Sequence, residues 1–212
     1  MVPPHADWPV RLSPRAAARR TAAMINVLAA DPTAEALREV LLAHGENESL
    51  TITEDDVEPL RRAAQKLRPV FDADDLGTAT VLLNQLLARH TQRLRLTAHD
   101  GAAWHLHLDR DDDGPIGEWF LASACLAMAV LIWDRQELPG GVCAATGCDQ
   151  VFLAVGNGPD QRYCSRRCAT RERVAAHRAR AAGQSLGQRS AQSERPERDG
   201  VSAAPRRSRS PR

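Results

Sequence analysis

The stretch CAATGCDQVFLAVGNGPDQRYCSRRC, residues 143–168, holds four of the chain's five cysteines in the pattern C-x(4)-C-x(15)-C-x(3)-C. Zinc takes four thiolates at about 2.3 Å in a tetrahedron, and a chain supplies them as two short-spaced pairs joined by a loop. Cys143, Cys148, Cys164 and Cys168 have that arrangement, so one structural zinc ion is the expected occupant. The competing readings are four unrelated buried cysteines or a pair of disulfides. The second needs an oxidising compartment, and the N-terminal MVPPHADWPV, poor in apolar residues and broken by prolines, has no secretory character.

Cys143 and Cys148 flank a tight turn in which Gly147 supplies the backbone freedom of a metal knuckle. Val151-Phe152-Leu153 reads as a short strand with Phe152 as the finger module's main apolar anchor, and Gly156-Asn157-Gly158-Pro159 as a turn. Cys164 and Cys168, four apart, share one face of a helical turn, and the run to Ala182 is rich in Ala and Arg and free of proline. A knuckle, a hairpin and a helix make a treble-clef-like zinc finger over residues 140–183, too small to fold without metal. Along its helix Arg166, Arg173 and Arg180 recur every seven residues, with Arg167, Arg171 and Arg178 on an adjacent stripe. The planar guanidinium fork suits phosphate oxygens and the major-groove edge of guanine. A merely solvated face is the plainer alternative, because this chain uses 27 arginines and a single lysine, Lys66.

The formal net charge of +1 hides an asymmetry: residues 1–139 hold 14 basic and 21 acidic side chains, residues 140–212 hold 14 and 6. A basic segment attracts polyanions while an acidic body repels them, which makes double-stranded DNA the leading expected partner. Attraction between the two halves of the chain fits the same count.

The body, residues 1–139, is expected to be mainly α-helical with one small β-hairpin. Ala16 to Ala30 has a helical stripe that stops at Asp31-Pro32, and a second helix, with Pro32 near its first position, carries Ala36, Leu37, Val40 and Leu41 and ends at Gly45. Thr53, followed by three acidic residues, caps a third helix from about Asp55 to Phe71. Asp74 to His90 repeats apolar residues at helical spacing. Alternation then replaces it, Arg93 to Leu96 and Trp104 to Leu108, with a turn at His99-Asp100-Gly101. Residues 119–133, WFLASACLAMAVLIW, fall short of the roughly 20 apolar residues that span a bilayer, so they read as a buried helix, with no membrane partner and a cytoplasmic location. Leu138-Pro139-Gly140-Gly141 marks the boundary between body and finger. Residues 184–212, poor in large apolar side chains, read as a disordered basic tail in which Arg206, Arg207 and Arg209 add non-specific attraction.

The stretch from Cys143 to Arg180, with Phe152-Leu153, Arg162-Tyr163-Cys164-Ser165, Cys168-Ala169-Thr170-Arg171 and Ala176-His177-Arg178-Ala179-Arg180, resembles the CGNR zinc finger. The body is similar to the ABATE domain that precedes that finger, through Ile25-Asn26-Val27-Leu28, Leu83-Asn84-Gln85-Leu86-Leu87 and the hairpin with Trp104. The resemblance implies a stress-responsive bacterial transcription regulator, nucleoid-associated when bound, whose finger contacts DNA. Arg162 would join the six helix arginines there. The body would sense a small-molecule or protein effector, or form a homo-oligomer. Two departures stand out. The name-giving motif appears as Cys168-Ala169-Thr170-Arg171, and residues 154–161 lack the acidic, serine- and arginine-rich turn of the family. The rival to DNA binding is a zinc-stabilised module that docks a protein.

Other chemistry is thin. His105 and His107 share a strand face, and exposed strand histidines are a commoner outcome than a second metal site. His177 reads as a helix-surface residue, Cys125 as a small buried hydrophobe, and Asp109 to Gly114 as a solvated turn without the spaced ligands of a calcium loop. No nucleophile elbow, phosphate loop or zinc-protease motif occurs, and a four-thiolate zinc leaves no position open for water. No enzymatic activity is expected.

Overall fold

Side-chain caps decide where the first four helices of the body begin. In the computed structural model, which describes residues 13–48, 50–98, 104–111, 114–154 and 161–193 (182–193 by backbone only), Ser13 accepts the Ala16 N–H at 3.1 Å and Pro14 opens α1, Pro14–Leu28. Thr33 accepts the Ala36 N–H and opens α2, Ala34–Ala43, so Pro32 lies outside the helix and not at its first position. At α3, Glu54–Phe71, the Asp56 carboxylate accepts the Thr53 N–H at 2.8 Å in a capping box. Asp75 accepts the Thr78 N–H at 2.9 Å and opens α4, Leu76–His90. Each cap satisfies an N–H that the helix cannot, worth about 1 kcal/mol.

The fifth helix, α5, Ile116–Arg135, packs on α1, α3 and α4. Phe120, Ala124, Cys125 and Met128 are fully buried and join Met24 and Ile25 of α1 and Leu60, Leu67 and Phe71 of α3 in one core. Gly117 is needed at the α5–α3 crossing, where an added Cβ would stand 2.9 Å from the Pro59 carbonyl oxygen. At 20 residues α5 is longer than the 15-residue apolar run, and by length and composition alone it could cross a bilayer. Its packing on three helices is what makes it a core helix. The run is not buried throughout: Trp133 is 75% exposed. Arg20 of α1 is buried, ion-paired with Glu46, bonded to Ser123 Oγ at 3.1 Å and stacked 4.7 Å from the Trp119 ring centre.

Strands β1, Arg95–Thr97, and β2, His105–His107, pair antiparallel with Leu96 opposite Leu106. The expected turn at 99–101 lies outside the described residues. One face of this hairpin exposes Leu94, Leu96, Trp104 and Leu106. The other corrects two expectations. His107 and Asp109 are buried, not solvated, because Arg95 Nη2 reaches Asp109 Oδ1 at 2.8 Å and His107 Nδ1 at 3.1 Å, while His107 Nδ1 lies 2.8 Å from Asp109 Oδ1.

A second small sheet begins at the expected boundary, Leu138–Gly141. Gly140–Val142 form β3, antiparallel to β4, Val151–Leu153, and Leu138, Val142, Val151 and Leu153 all pack into the helical core. Val151 and Leu153 share the strand face turned to the core, and Phe152 faces the other way, over Gly141. Val151, 1% exposed, anchors the strand in the helical core, while Phe152 is buried on the opposite face. The sixth helix, α6, runs Arg166–Ser193, ten residues past the point where the tail was expected to begin. Poverty in apolar residues denies a segment a core to pack on, but residues 184–193 contain no proline and hold a helix locally. Residues 1–170 form one compact unit and 171–212 a second.

Candidate metal centre

Cys143 follows β3 directly, and Cys148 stands at the far end of the knuckle that leads into β4. The knuckle closes through Cys148 N–H to Ala145 O and Cys143 N–H to Gln150 O, both 2.9 Å. Gly147 has φ +69°, which side chains rarely adopt, so the freedom read from the sequence is used. Cys164 and Cys168 bracket the start of α6, where Ser165, the residue before the helix, accepts the Cys168 N–H on its Oγ at 3.3 Å. The second pair meets the first through Ala144 N–H to Arg162 O at 2.9 Å and Cys164 N–H to Cys143 Sγ at 3.3 Å.

All four sulfurs lie within 4.8 Å of one another. A tetrahedron of sulfurs at about 2.3 Å from zinc has edges of about 3.8 Å. The separations Cys148–Cys164, 3.8 Å, and Cys164–Cys168, 3.7 Å, have that length, well beyond the S–S bond of about 2.0 Å. All five cysteines are free thiols, so the disulfide reading fails on geometry. The residues present fit one zinc ion held by Cys143, Cys148, Cys164 and Cys168. Bound there, zinc supplies structural cross-linking, because four thiolates fill its coordination.

The sulfurs do not share charge evenly. Burial opposes ionisation of Cys143, but N–H groups of Cys164 and Ala145 and the neighbouring thiols bring its pKa down to about 7. Burial and the Cys143 sulfur push Cys164 up to about 12. One thiolate forms readily, and a cation is required to hold the rest ionised at such short range.

Two body residues that sequence reasoning did not assign to this centre touch it through β4. Asn26 of α1 donates from Nδ2 to the Val151 carbonyl at 2.9 Å and accepts the Val151 N–H on Oδ1 at 2.8 Å. Arg68 of α3 donates from Nη2 to the Asp149 carbonyl. A single asparagine and a single arginine in helical stretches carry no local signal; only the fold brings them here. Ser165, by contrast, does carry a local signal, a serine directly before a helix, which the sequence reading missed.

The candidate arginines Arg162, Arg166, Arg167, Arg171, Arg173, Arg178 and Arg180 are all exposed. Arg162 precedes the helix and the other six lie on it. At 3.6 residues per turn the rows 166/173/180 and 167/171/178 stand roughly 140° apart. They therefore flank a strip holding Thr170, Val174 and His177 instead of merging into one patch. His177 is exposed, as expected, and Cys125 is fully buried in the helical core, its thiol pushed up to about 12 by burial.

No curated protein matches the chain. Residues 141–181, which contain all four cysteines and all six arginines of the two rows, match the family model described as the CGNR zinc finger.

Proposed function

We propose that the protein is a DNA-binding transcription regulator in which the zinc centre holds the start of an arginine-bearing helix. The observation that carries this reading is the pair of exposed arginine rows on α6, beginning at the residues between Cys164 and Cys168. The strip between the rows, holding Thr170, Val174 and His177, is lightly polar, with Val174 exposed on it. Such a strip suits the floor of a major groove, where an apolar side chain can meet a thymine methyl and flanking guanidinium groups reach phosphates. The fourteen basic and six acidic side chains of residues 140–212 support the same polyanionic partner. The body, similar to the ABATE domain in the segments quoted above, would supply effector sensing or self-association, in a cytoplasmic, stress-responsive regulator. A closed four-thiolate site offers no place for a reacting water, which favours a scaffold over an enzyme.

Binding of random duplex pools by the zinc-loaded protein, measured across salt concentration with and without chelator, tests this. Selective, zinc-dependent binding with a steep negative salt slope is expected. Absence of binding even at low salt would overturn it, and recovery of a stoichiometric protein partner insensitive to nuclease would favour a protein-docking module instead.

A further inference from the structure

In a two-stranded sheet each strand has an outer edge whose backbone groups need partners when buried. Val151 sits on that edge of β4 and is 1% exposed. Its N–H and C=O are both taken by the carboxamide of Asn26, which stands in for a third strand. Arg68 takes the carbonyl of Asp149 two residues earlier, and the residue between, Gln150, accepts the Cys143 N–H. The segment Asp149–Val151 is thus fixed by α1, by α3 and by the Cys143 turn, with Cys148 directly before it.

The second half of the site is held differently. Among the described residues, Cys164 and Cys168 belong to a small cluster made only of Cys143, Cys148, Ala145 and Tyr163, separate from the helical core. Val142, Val151 and Leu153, by contrast, belong to that core.

We propose that Asn26 is a positioning residue for the zinc centre: it keeps the Cys143/Cys148 half-site folded against the body before metal arrives, so that zinc orders only the Cys164/Cys168 half and the helix start it carries. This rests on zinc binding by the four cysteines and not on the DNA reading. It replaces the expectation of a finger unfolded without metal. Two consequences follow. A half-formed site captures zinc with less ordering cost than a free peptide of the same sequence. Any effector that displaces α1 changes zinc affinity, by linkage, through a residue that touches no metal.

The test uses the full chain. Zinc affinity is measured by competition with a chromogenic chelator for wild type, Asn26→Leu, Asn26→Asp and the control Leu83→Ala, which truncates a buried α4 side chain elsewhere in the body. Asn26→Leu removes both bonds and is expected to weaken zinc binding about 10- to 100-fold, as loss of a residue supporting metal ligands commonly does. Asn26→Asp retains the acceptor for the Val151 N–H and should fall between. Leu83→Ala should stay within about twofold of wild type, separating positioning from general destabilisation. Amide exchange on zinc-free wild type supplies a readout free of mutation: the Val151 and Cys143 N–H groups should be protected and the Cys168 N–H not. Unchanged affinity in Asn26→Leu, an equal loss in Leu83→Ala, or unprotected Val151 in the zinc-free chain would each overturn the proposal. Should Asn26→Leu fail to fold, Asn26→Asp and the exchange data decide it.

Discussion

Gly140, opposite Leu153 in the β3–β4 pair, lies so close to the neighbouring Phe152 carbonyl oxygen that a Cβ on Gly140 would overlap it. That obstacle is backbone, and it cannot rotate away. Gly140→Ala is therefore expected to cost about 3 kcal/mol through forced separation of the strands. Gly141→Ala is the internal comparison, since its Cβ would meet only the ring edge of Phe152, at 3.3 Å, and a side chain can yield. Thermal denaturation of the zinc-loaded proteins should show a clearly larger drop for Gly140→Ala; equal drops would contradict the packing described.

Thiol chemistry should divide the five cysteines four to one. In the zinc-free native chain Cys143, Cys148, Cys164 and Cys168 are expected to react with an aromatic disulfide reagent, while Cys125, fully buried in the helical core, stays silent until the chain unfolds. Zinc should protect the four. Cys164→Ser or Cys168→Ser should lower bound zinc, by elemental analysis, from one ion per chain to a small fraction, and Cys125→Ala should leave it at one.

The Arg95–His107–Asp109 cluster predicts a pH effect on stability. Burial holds the His107 ring below its usual pKa, with Asp109 opposing; His105 and Arg95 also face it. The folded chain thus favours the neutral ring, and the unfolded chain binds more protons as pH falls through about 6.5. Stability from this source is full above that value and is lost as pH falls toward the folded pKa. His107→Asn keeps an acceptor near Nδ1 but gains no proton, so urea denaturation between pH 7 and 5 should show a shallower decline than wild type. Any loss of zinc in acid is common to both and cancels in the comparison. Parallel declines would contradict the assignment.

If the arginine rows engage phosphates, Arg173→Ala with Arg180→Ala should weaken duplex binding about equally across sequences. The logarithmic salt slope should shrink by about 0.9 for each phosphate that is no longer neutralised. A change confined to one base position would mean that these side chains read bases.

The helices of the body were legible because apolar spacing and capping residues are local, and Thr53 announces its helix without any tertiary contact. The metal ligands were legible for the same reason: two pairs at short spacing need no knowledge of the rest of the chain. What escaped depends on distant partners. Asn26 and Val151 are 125 residues apart, and nothing near Asn26 marks it as a strand surrogate. Pro139-Gly140-Gly141 reads as a breaker, yet Gly140 is a strand residue because only glycine fits against Phe152. Asp109 heads an acidic run that looks solvated, and its burial depends on Arg95 arriving from the neighbouring strand.

The central claim is that four cysteines close around one structural zinc. X-ray absorption at the zinc edge of the full-length loaded protein tests it most directly: four sulfur neighbours at about 2.3 Å and no lighter atom are expected. A nitrogen or oxygen neighbour, or fewer than four sulfurs, would contradict the closed scaffold.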